Sequence, residues 1–507
     1  MRHFLAAMRA RFSMSATADQ PSSKAVTRGV VTIGLGICAI AAALSLLSVG
    51  QPTANDPNSW LVWATQLAGG HGVDFSVGPS WKPLPVILDM PPALASSSAA
   101  AVWWIWLVRF SALATAFFLF LLMRLDWAGL GGTFGGLIAG IAIFTIQPWS
   151  KSAVIGMSEP LLMALALAAI LAASEKRNRL AVGLAIAAGL VRPEVWAFVL
   201  AWLGWRAWRK ELAVREAIAT AAGVVAVWLV AWYGIPLALG ADLTQASDRA
   251  SEAMALGSSG TGLLRVWQKD LPGPLIWWLV LTGAAVGWIL RTELRGRRAL
   301  TIAGAGTAWL LITWLLNALG TEPGIPRYGL PAFVTWCYLI GVSVAVVIER
   351  IEAPSTISVP GSGFGWTSNP SAKRAASYLI GAALGVGVMM GVALAMDGLW
   401  SGARVYLRSS NNQLAALEKA GGVRALGGCI PFATSGYPSH ARIIARRTDQ
   451  PLQAYTEQPG NPQRAVILKS SNPAVGSQPE LPAGRPFPLA RVGDWTVLYY
   501  GPHSGCR

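Results

Sequence analysis

The sequence is poor in charge. Charged residues make up 13% of the 507 residues, about half the share of an ordinary soluble domain, which is roughly 25%. Hydrophobic residues make up 54%, and apolar stretches of about 20 residues, the length that crosses a bilayer, recur along the chain. This composition excludes an ordinary soluble protein and predicts a membrane protein with many spans.

The sequence also lacks the common nucleotide and metal motifs. It contains no P-loop and no Rossmann fingerprint, and its four cysteines do not have metal-ligand spacing. The net charge of +16 does not predict nucleic-acid binding, because the basic residues lie in short loops between apolar segments, as the positive-inside rule requires. We expect no nucleic-acid partner and no cofactor, and a divalent cation stays open.

The few cysteines divide into two kinds. Cys38 and Cys337 lie in apolar segments and are expected to be packing residues. Cys429 and Cys506 lie in the polar C-terminal tail. If that tail faces an oxidising compartment, the two form a disulfide that ties the C-terminus to its domain.

The alternation of apolar segments with basic loops predicts about eleven crossings and a mainly α fold, a polytopic transmembrane helical bundle. We expect a cytoplasmic tail (1–29), a transmembrane domain (30–399) with its first extracytoplasmic loop at 51–100, and a small extracytoplasmic α/β domain (400–507). The composition suggests a bacterial plasma membrane. The predicted spans are 30–50, 108–123, 130–147, 153–173, a helical hairpin at 180–205, 217–239, 274–290, 299–319, 328–348 and 377–395. We also predict a short turn at 148–152, short interfacial helices in the loop 51–100, and in the C-terminal domain a helical patch at 413–420 and strands at 464–469 and 495–500.

The hairpin is predicted from an unusual apolar stretch. Residues 180–205 have Arg192-Pro193-Glu194 at their midpoint, and basic residues stand on both sides of the stretch. A single crossing would place one basic cluster outside and two charges in mid-bilayer, and both are costly. Two short helices with Arg192 and Glu194 at an extracytoplasmic apex satisfy both constraints.

The unusual charges of the membrane half map to one side of this topology. A shared polar cavity at that interface explains such crowding, although each charge alone would also serve to cap a helix or to pair with a lipid headgroup. The residues in question are Asp56, Lys82, Glu159, Arg192, Glu194, Glu322 and Arg327.

Several short motifs accompany these charges in a fixed order. They are Asn55-Asp56-Pro57, Trp81-Lys82-Pro83-Leu84-Pro85, Arg109-Phe110-Ser111-Ala112-Leu113, Ser158-Glu159-Pro160, Leu190-Val191-Arg192-Pro193-Glu194 and Pro326-Arg327-Tyr328. Over about residues 30–350 this order resembles the GT-C superfamily, and is similar to lipid A aminoarabinose transferases and protein O-mannosyltransferases. Asp56 stands alone where many members have paired acids, and Lys82 is followed by Pro-Leu-Pro instead of Pro-Pro.

The resemblance implies an inverting glycosyltransferase that takes a sugar from a polyprenyl-phosphate donor. It implies that Lys82, Arg192, Arg327 and Tyr328 bind the donor phosphate, on which negative charge grows as the glycosidic bond breaks. A carboxylate would take the proton of an acceptor alcohol, and Asp56 is the first candidate for this general base. Glu159, Glu194 and Asp74 are expected to support the site or to bind the acceptor. Each of them also stays an alternative to Asp56 as the general base.

Two other functions fit the spans. One is a transporter or flippase of lipid-linked sugars, but transport sites usually lie near the midplane, often at inverted repeats, and the sequence has no visible repeat. The other is a non-catalytic scaffold for envelope assembly. For the transferase, the expected partners are a polyprenyl-phosphate sugar, a lipid, glycan or protein acceptor, and membrane lipid.

Overall fold

The computed structural model describes residues 28–50, 52–73, 81–241, 297–319, 326–352, 370–435, 439–456, 464–472 and 485–501, together with a few single positions. The described chain is mainly helical and has one small sheet near its C-terminus. The helices are α1 (Arg28–Val49), α2 (Asn55–Ala68), α3 (Pro83–Ala93), α4 (Ser97–Asp126), α5 (Gly129–Ala142), α6 (Gln147–Ile155), α7 (Glu159–Ser174), α8 (Asn178–Gly189), α9 (Val195–Trp208), α10 (Val214–Leu229), α11 (Ile235–Ala238), α12 (Arg297–Ala318), α13 (Leu330–Glu352), α14 (Pro370–Lys419), α15 (Gly422–Leu426) and α16 (Ser439–Arg447).

Long apolar helices make this a multi-pass membrane protein. Within the described residues, five helices are long and apolar enough to cross a bilayer, and the bent pair of α5 and α6 gives a sixth span if it is counted as one. The predicted number of about eleven is not confirmed. The predicted span at 274–290 lies outside the described residues, and α7 and α8 are shorter apolar helices of 16 and 12 residues.

The region of the third and fourth predicted spans differs from expectation. We predicted a turn at 148–152, but these residues belong to α6, which is bent by 74° from the helix before it. Pro148 stands in the first turn of α6, where a proline has no N–H to leave unpaired and its fixed φ suits the helix. The proline therefore begins a helix here instead of breaking one.

The predicted hairpin region does contain two short helices. The chain leaves α8 at Gly189 and enters α9 at Val195, so Arg192-Pro193-Glu194 lies between them. The two helices touch at their near ends, because a Cβ on Gly189 would lie 2.7 Å from the ring of Trp196. The break is explained by Pro193, which cannot donate a helical hydrogen bond.

The first long loop carries α2 and α3, as predicted for short helices in this loop. Two backbone hydrogen bonds tie these helices to the bundle. The amide of Ala54 donates to the carbonyl of Ile155 at 2.9 Å, and the amide of Leu84 donates to the carbonyl of Leu190 at 3.1 Å. Three predicted site residues, Asp56, Lys82 and Arg192, each lie two positions along the chain from a residue of these hydrogen bonds: Ala54, Leu84 and Leu190.

Helix α4 lies at the centre of the bundle and packs against α1, α3, α5 and α7. Small residues allow close helix contact elsewhere, as is common in membranes. A Cβ on Gly135 would lie 2.5 Å from the carbonyl oxygen of Gly341, so α5 and α13 meet backbone to backbone there. The apolar core also continues from α2 and α3 into the C-terminal domain.

The C-terminal domain begins on a long helix. Helix α14 spans 50 residues and runs through the predicted boundary at residue 400, so the helical patch predicted at 413–420 is its end. Strands β1 (Phe432–Thr434), β2 (Tyr455–Thr456), β3 (Ala465–Ser470), β4 (Phe487–Val492) and β5 (Trp495–Tyr500) form a sheet of order β2-β1-β3-β5-β4. Strand β1 is parallel to β2 and β3, while β5 is antiparallel to β3 and β4.

Two predictions about this domain are confirmed. The strands predicted at 464–469 and 495–500 correspond to β3 and β5, which pair with each other. Cys429 and Cys506 form a disulfide across a sequence separation of 77 residues. The bond joins the chain next to β1 to the chain that follows β5, and so closes the domain at its C-terminus.

Candidate active site

The predicted site residues lie at one end of the helical bundle. Glu159 opens α7, and Arg192 and Glu194 lie between α8 and α9. The far ends of α7 and α9 carry basic residues, among them Arg177 and Arg209. The site residues therefore stand at the first ends of α7 and α9, and the basic residues at the opposite ends of the same helices. The candidate site thus lies on the side of the bundle away from these basic loops.

Asp56 and Arg327 form the centre of the site. Nη2 of Arg327 donates a hydrogen bond of 2.6 Å to Oδ2 of Asp56, and Nε of Arg327 lies 3.6 Å from Oε1 of Glu159. Glu159 is 1% exposed. Arg327 therefore bridges two of the carboxylates that the sequence proposed as candidate bases, one from the first turn of α2 and one from the first turn of α7.

Lys82 approaches the same cluster from the residue before α3. Its Nζ donates a hydrogen bond of 2.6 Å to Oγ of Ser158 and lies 4.9 Å from the centre of the Trp60 ring. Burial lowers the pKa of Lys82 to about 8, an effect opposed by the charge of Glu159 and increased by Arg192 and Arg327. Lys82 is therefore a cation at neutral pH but loses its proton at a lower pH than an ordinary lysine does.

Arg192 forms the third cationic position. Its Nη1 donates a hydrogen bond of 2.9 Å to Oε1 of Glu194, and both side chains are 5% exposed. The guanidinium also lies over the ring of Tyr328, 3.9 Å from the ring centre. Arg327 lies 5.5 Å from the same ring. Tyr328 thus separates two arginines, and its ring stabilises both by cation–π contact.

The structure adds two residues that the sequence did not predict. Arg442 and Arg446 project from α16 of the C-terminal domain, and Nη1 of Arg442 lies 4.0 Å from Oδ1 of Asp56. Nε of Arg446 donates a hydrogen bond of 2.8 Å to Oδ1 of Asn58. Nothing in the sequence separates these arginines from the many solvated basic residues of the tail, so only the folded chain reveals them.

The charge state of Asp56 follows from these neighbours. Burial by itself raises the pKa of a carboxyl group, but the positive charges of Arg327, Arg442 and Lys82 together outweigh it and lower the pKa of Asp56. Asp56 is therefore ionised at neutral pH. An ionised carboxylate in a desolvated site accepts a proton or a hydrogen bond from an incoming hydroxyl group.

The other predicted positions have different outcomes. Asp74 and Glu322 lie outside the described residues. Arg109, from the motif at the second span, donates hydrogen bonds to the carbonyls of Ser45 and Gly50, which fixes α4 against the end of α1. Its partners are structural, and none of them is a site carboxylate.

Metal binding has no visible support in the part of the chain that the structure describes. That part contains no group of three or more histidine, cysteine, aspartate or glutamate side chains placed to hold a metal ion. The positive charge of the site comes instead from lysine and arginine side chains.

Comparisons with known proteins identify the fold. No family model and no curated protein matches the sequence. The structure is similar to a crystal structure of ArnT from Cupriavidus metallidurans bound to undecaprenyl phosphate, with a TM-score of 0.53 and 14% identity over 94% of this chain and 99% of that one. It is also similar to the apo state of the same ArnT, with a TM-score of 0.51 and 15% identity over 93% of this chain and 100% of that one. The chain therefore shares the fold of these ArnT structures over nearly its whole length.

Proposed function

We propose that this protein is an inverting glycosyltransferase that moves a sugar from a polyprenyl-phosphate donor to a cell-envelope acceptor on the extracytoplasmic side of the membrane. The observation that carries the proposal is the cluster in which Arg327 bridges Asp56 and Glu159, with the buried cations Lys82 and Arg192 close by. The cluster lies in a fold shared with an ArnT whose crystal structure contains undecaprenyl phosphate.

The three cations suit the leaving group of the reaction. A polyprenyl phosphate leaves without a proton donor, but negative charge builds on its oxygens as the bond to the sugar breaks. Preorganised cations in a water-poor site stabilise that charge more strongly than water does. Lys82 supplies a compact charge and the two arginines supply planar forks that match phosphate oxygens. We assign the donor phosphate to this group, beside the ring of Tyr328.

The carboxylates suit the acceptor. An alcohol is a weak nucleophile until its proton is accepted by a nearby base. Asp56 is ionised and lies at the first turn of α2, so we propose it as that base, with direct displacement and inversion at the anomeric carbon. Glu159 is the second candidate, because both of its carboxylate oxygens are without a hydrogen-bond partner among the described residues. Glu194 holds Arg192 in place through their hydrogen bond.

The position of the cluster favours the side of the membrane on which the C-terminal domain lies. The cluster is at the helix ends opposite the basic loops, which the positive-inside rule assigns to the cytoplasm. Residues of α16 reach the same cluster. The donor lipid would then lie between the helices while the acceptor arrives from the aqueous side.

Binding of undecaprenyl phosphate by the purified protein in lipid nanodiscs tests this proposal. A charge-assisted contact to a phosphate contributes roughly 1.5–3 kcal/mol, so Lys82→Gln and Arg192→Gln should each weaken binding by about 10- to 100-fold. Lys151→Gln is the matched control, because Lys151 is an exposed lysine of α6, and it should leave the affinity unchanged. Equal affinities in all four proteins would contradict the assignment of the phosphate site.

A further inference from the structure

Helix α16 is the part of the C-terminal domain that reaches the candidate site. It lies between the parallel strands β1 and β2 and packs against α2. Arg442 and Arg446 are four residues apart, which places them on one face of the helix. Both are buried, at 7% and 6% exposure, although arginine side chains are almost never buried without partners.

The contact between α16 and α2 is a specific polar one. Arg446 donates to Oδ1 of Asn58, and the same oxygen accepts a hydrogen bond of 2.8 Å from Oγ1 of Thr53. The side-chain Nδ2 of Asn58 donates to the carbonyls of Thr53 and Ala54 at 2.9 and 2.7 Å. Asn58 is thereby fixed in one orientation, and its contact with Arg446 sets where α16 sits relative to the first turn of α2.

That placement brings Arg442 to the side of Asp56 that Arg327 does not occupy. Arg327 holds Oδ2 of the carboxylate and Arg442 lies 4.0 Å from Oδ1. The two arginines come from different parts of the fold, one from the turn before α13 and one from the C-terminal domain. Asp56 is therefore held between them, with Lys82 as a more distant positive charge.

We propose that Arg442 is a positioning residue for Asp56, and that the C-terminal domain thereby completes the active site; this inference rests on the proposed function. Arg327 is shared between Asp56, Glu159 and the expected donor phosphate. When Arg327 binds the donor phosphate, Arg442 keeps the Asp56 carboxylate ionised and oriented toward the acceptor. The domain is then a working part of the catalytic centre and more than a binding module attached to it.

The balance of charge supports this role. Within the membrane half, Lys82, Arg192 and Arg327 face three carboxylates, Asp56, Glu159 and Glu194. Arg442 from α16 adds a positive charge beside Asp56, while Arg446 has Asp449 near it. Docking of the domain therefore brings a further cation to the site in which negative charge grows on the departing phosphate.

The test compares Arg442→Gln, Arg442→Lys and Arg447→Gln in sugar transfer measured against pH. The groups that face Asp56 are Arg327, Arg442 and Lys82, and removal of one cation raises the pKa of the carboxyl. We expect Arg442→Gln to lower kcat/KM by about tenfold or more and to move its acidic limb to higher pH. Arg442→Lys should restore much of both. Arg447 bonds to Asn411 on α14, so Arg447→Gln should match the parent.

Other outcomes separate the two proposals. If the parent transfers sugar and Arg442→Gln has the same activity and the same acidic limb as Arg447→Gln, the role of Arg442 is wrong while the proposed function stands. If the parent neither binds undecaprenyl phosphate nor transfers any sugar, the proposed function fails. In that case a double-mutant cycle of Asp56→Asn with Arg442→Gln, measured by thermal unfolding, still tests the contact, and a coupling of zero would overturn it.

Discussion

Arg327 donates a hydrogen bond of 2.6 Å to Asp56 across 271 positions of the sequence. The pair joins the first helix of the first long loop to the start of α13, so it closes the candidate site between an early and a late part of the chain. Both residues come from short motifs whose order resembles that of the GT-C superfamily. Their pairing in space gives those motifs a common location, which the sequence order alone could not provide.

The pKa of Lys82 predicts a pH dependence. Burial disfavours the ammonium form, so the lysine is charged below about pH 8 and neutral above it. Because we assign Lys82 to the donor phosphate, kcat/KM for the donor should fall as the pH rises through about 8. In Lys82→Arg the side chain stays charged, and this alkaline limb should disappear from the profile between about pH 6 and 10. A limb at the same pH in both proteins would show that a different group titrates.

The Arg192–Glu194 pair predicts a pattern of stability. Removal of one partner from a buried ion pair leaves an unpaired charge and costs roughly 3–5 kcal/mol, whereas removal of both costs much less. We expect Arg192→Met to lower the thermal unfolding temperature more than the double variant Arg192→Met/Glu194→Gln does. The comparison is made by unfolding in one detergent. A double variant less stable than the single one would contradict a stabilising ion pair between α8 and α9.

Gly156 predicts a sensitive position next to the site. It has a positive φ of +79°, and a Cβ there would lie 2.7 Å from Cδ1 of Ile105. Its carbonyl accepts a hydrogen bond of 2.7 Å from the indole nitrogen of Trp104. Gly156→Ala should therefore destabilise the protein and displace Ser158, the partner of Lys82, with loss of donor binding.

A second glycine gives the control for that variant. Gly183 lies in α8, and a Cβ at this position would meet no atom within 4 Å among the residues that the structure describes. Gly183→Ala should therefore be neutral or stabilise the protein by about 0.5–1 kcal/mol. Both variants are compared by thermal unfolding and by binding of undecaprenyl phosphate. Equal behaviour of the two alanine variants would contradict the close packing at Gly156.

The Cys429–Cys506 disulfide predicts a stability change confined to the C-terminal domain. A cross-link across 77 residues restricts the unfolded chain, and the loop-entropy model gives a stabilisation of about 4.5 kcal/mol for a loop of this length. Cys506→Ser should make the domain more susceptible to limited proteolysis between its strands while the helical bundle stays intact. Protection equal to that of the parent, with and without reductant, would show that the bond contributes little.

The sequence predicted those parts of the fold that depend on local chemistry. Pro193 between two charges predicted the break between α8 and α9, and the apolar stretches predicted the long spans. Pro148 was misassigned, because a proline suits both a turn and the first turn of a helix. The continuity of α14 through residue 400 was also missed, because the change from apolar to polar residues marks a change of environment and not the end of a helix.

The candidate site was predictable where charges stood in apolar surroundings. Asp56, Lys82, Glu159, Arg192 and Arg327 stand out because burial of such groups is costly without a function or a partner. Arg442 and Arg446 could not be found in this way, because they lie in a polar tail among many basic residues. Their role depends on the docking of one domain on another, which leaves no local pattern in the sequence.

Sugar transfer from a panel of polyprenyl-phosphate sugars, with the parent and Asp56→Asn compared in lipid nanodiscs, tests both the proposed reaction and its base. We expect the parent to transfer a sugar with inversion at the anomeric carbon. Asp56→Asn should still bind undecaprenyl phosphate but lose transfer by about 100-fold or more, as expected for loss of a general base. Undiminished transfer by Asp56→Asn would contradict the role of Asp56, and a parent that neither binds nor uses any donor would contradict the proposed function itself.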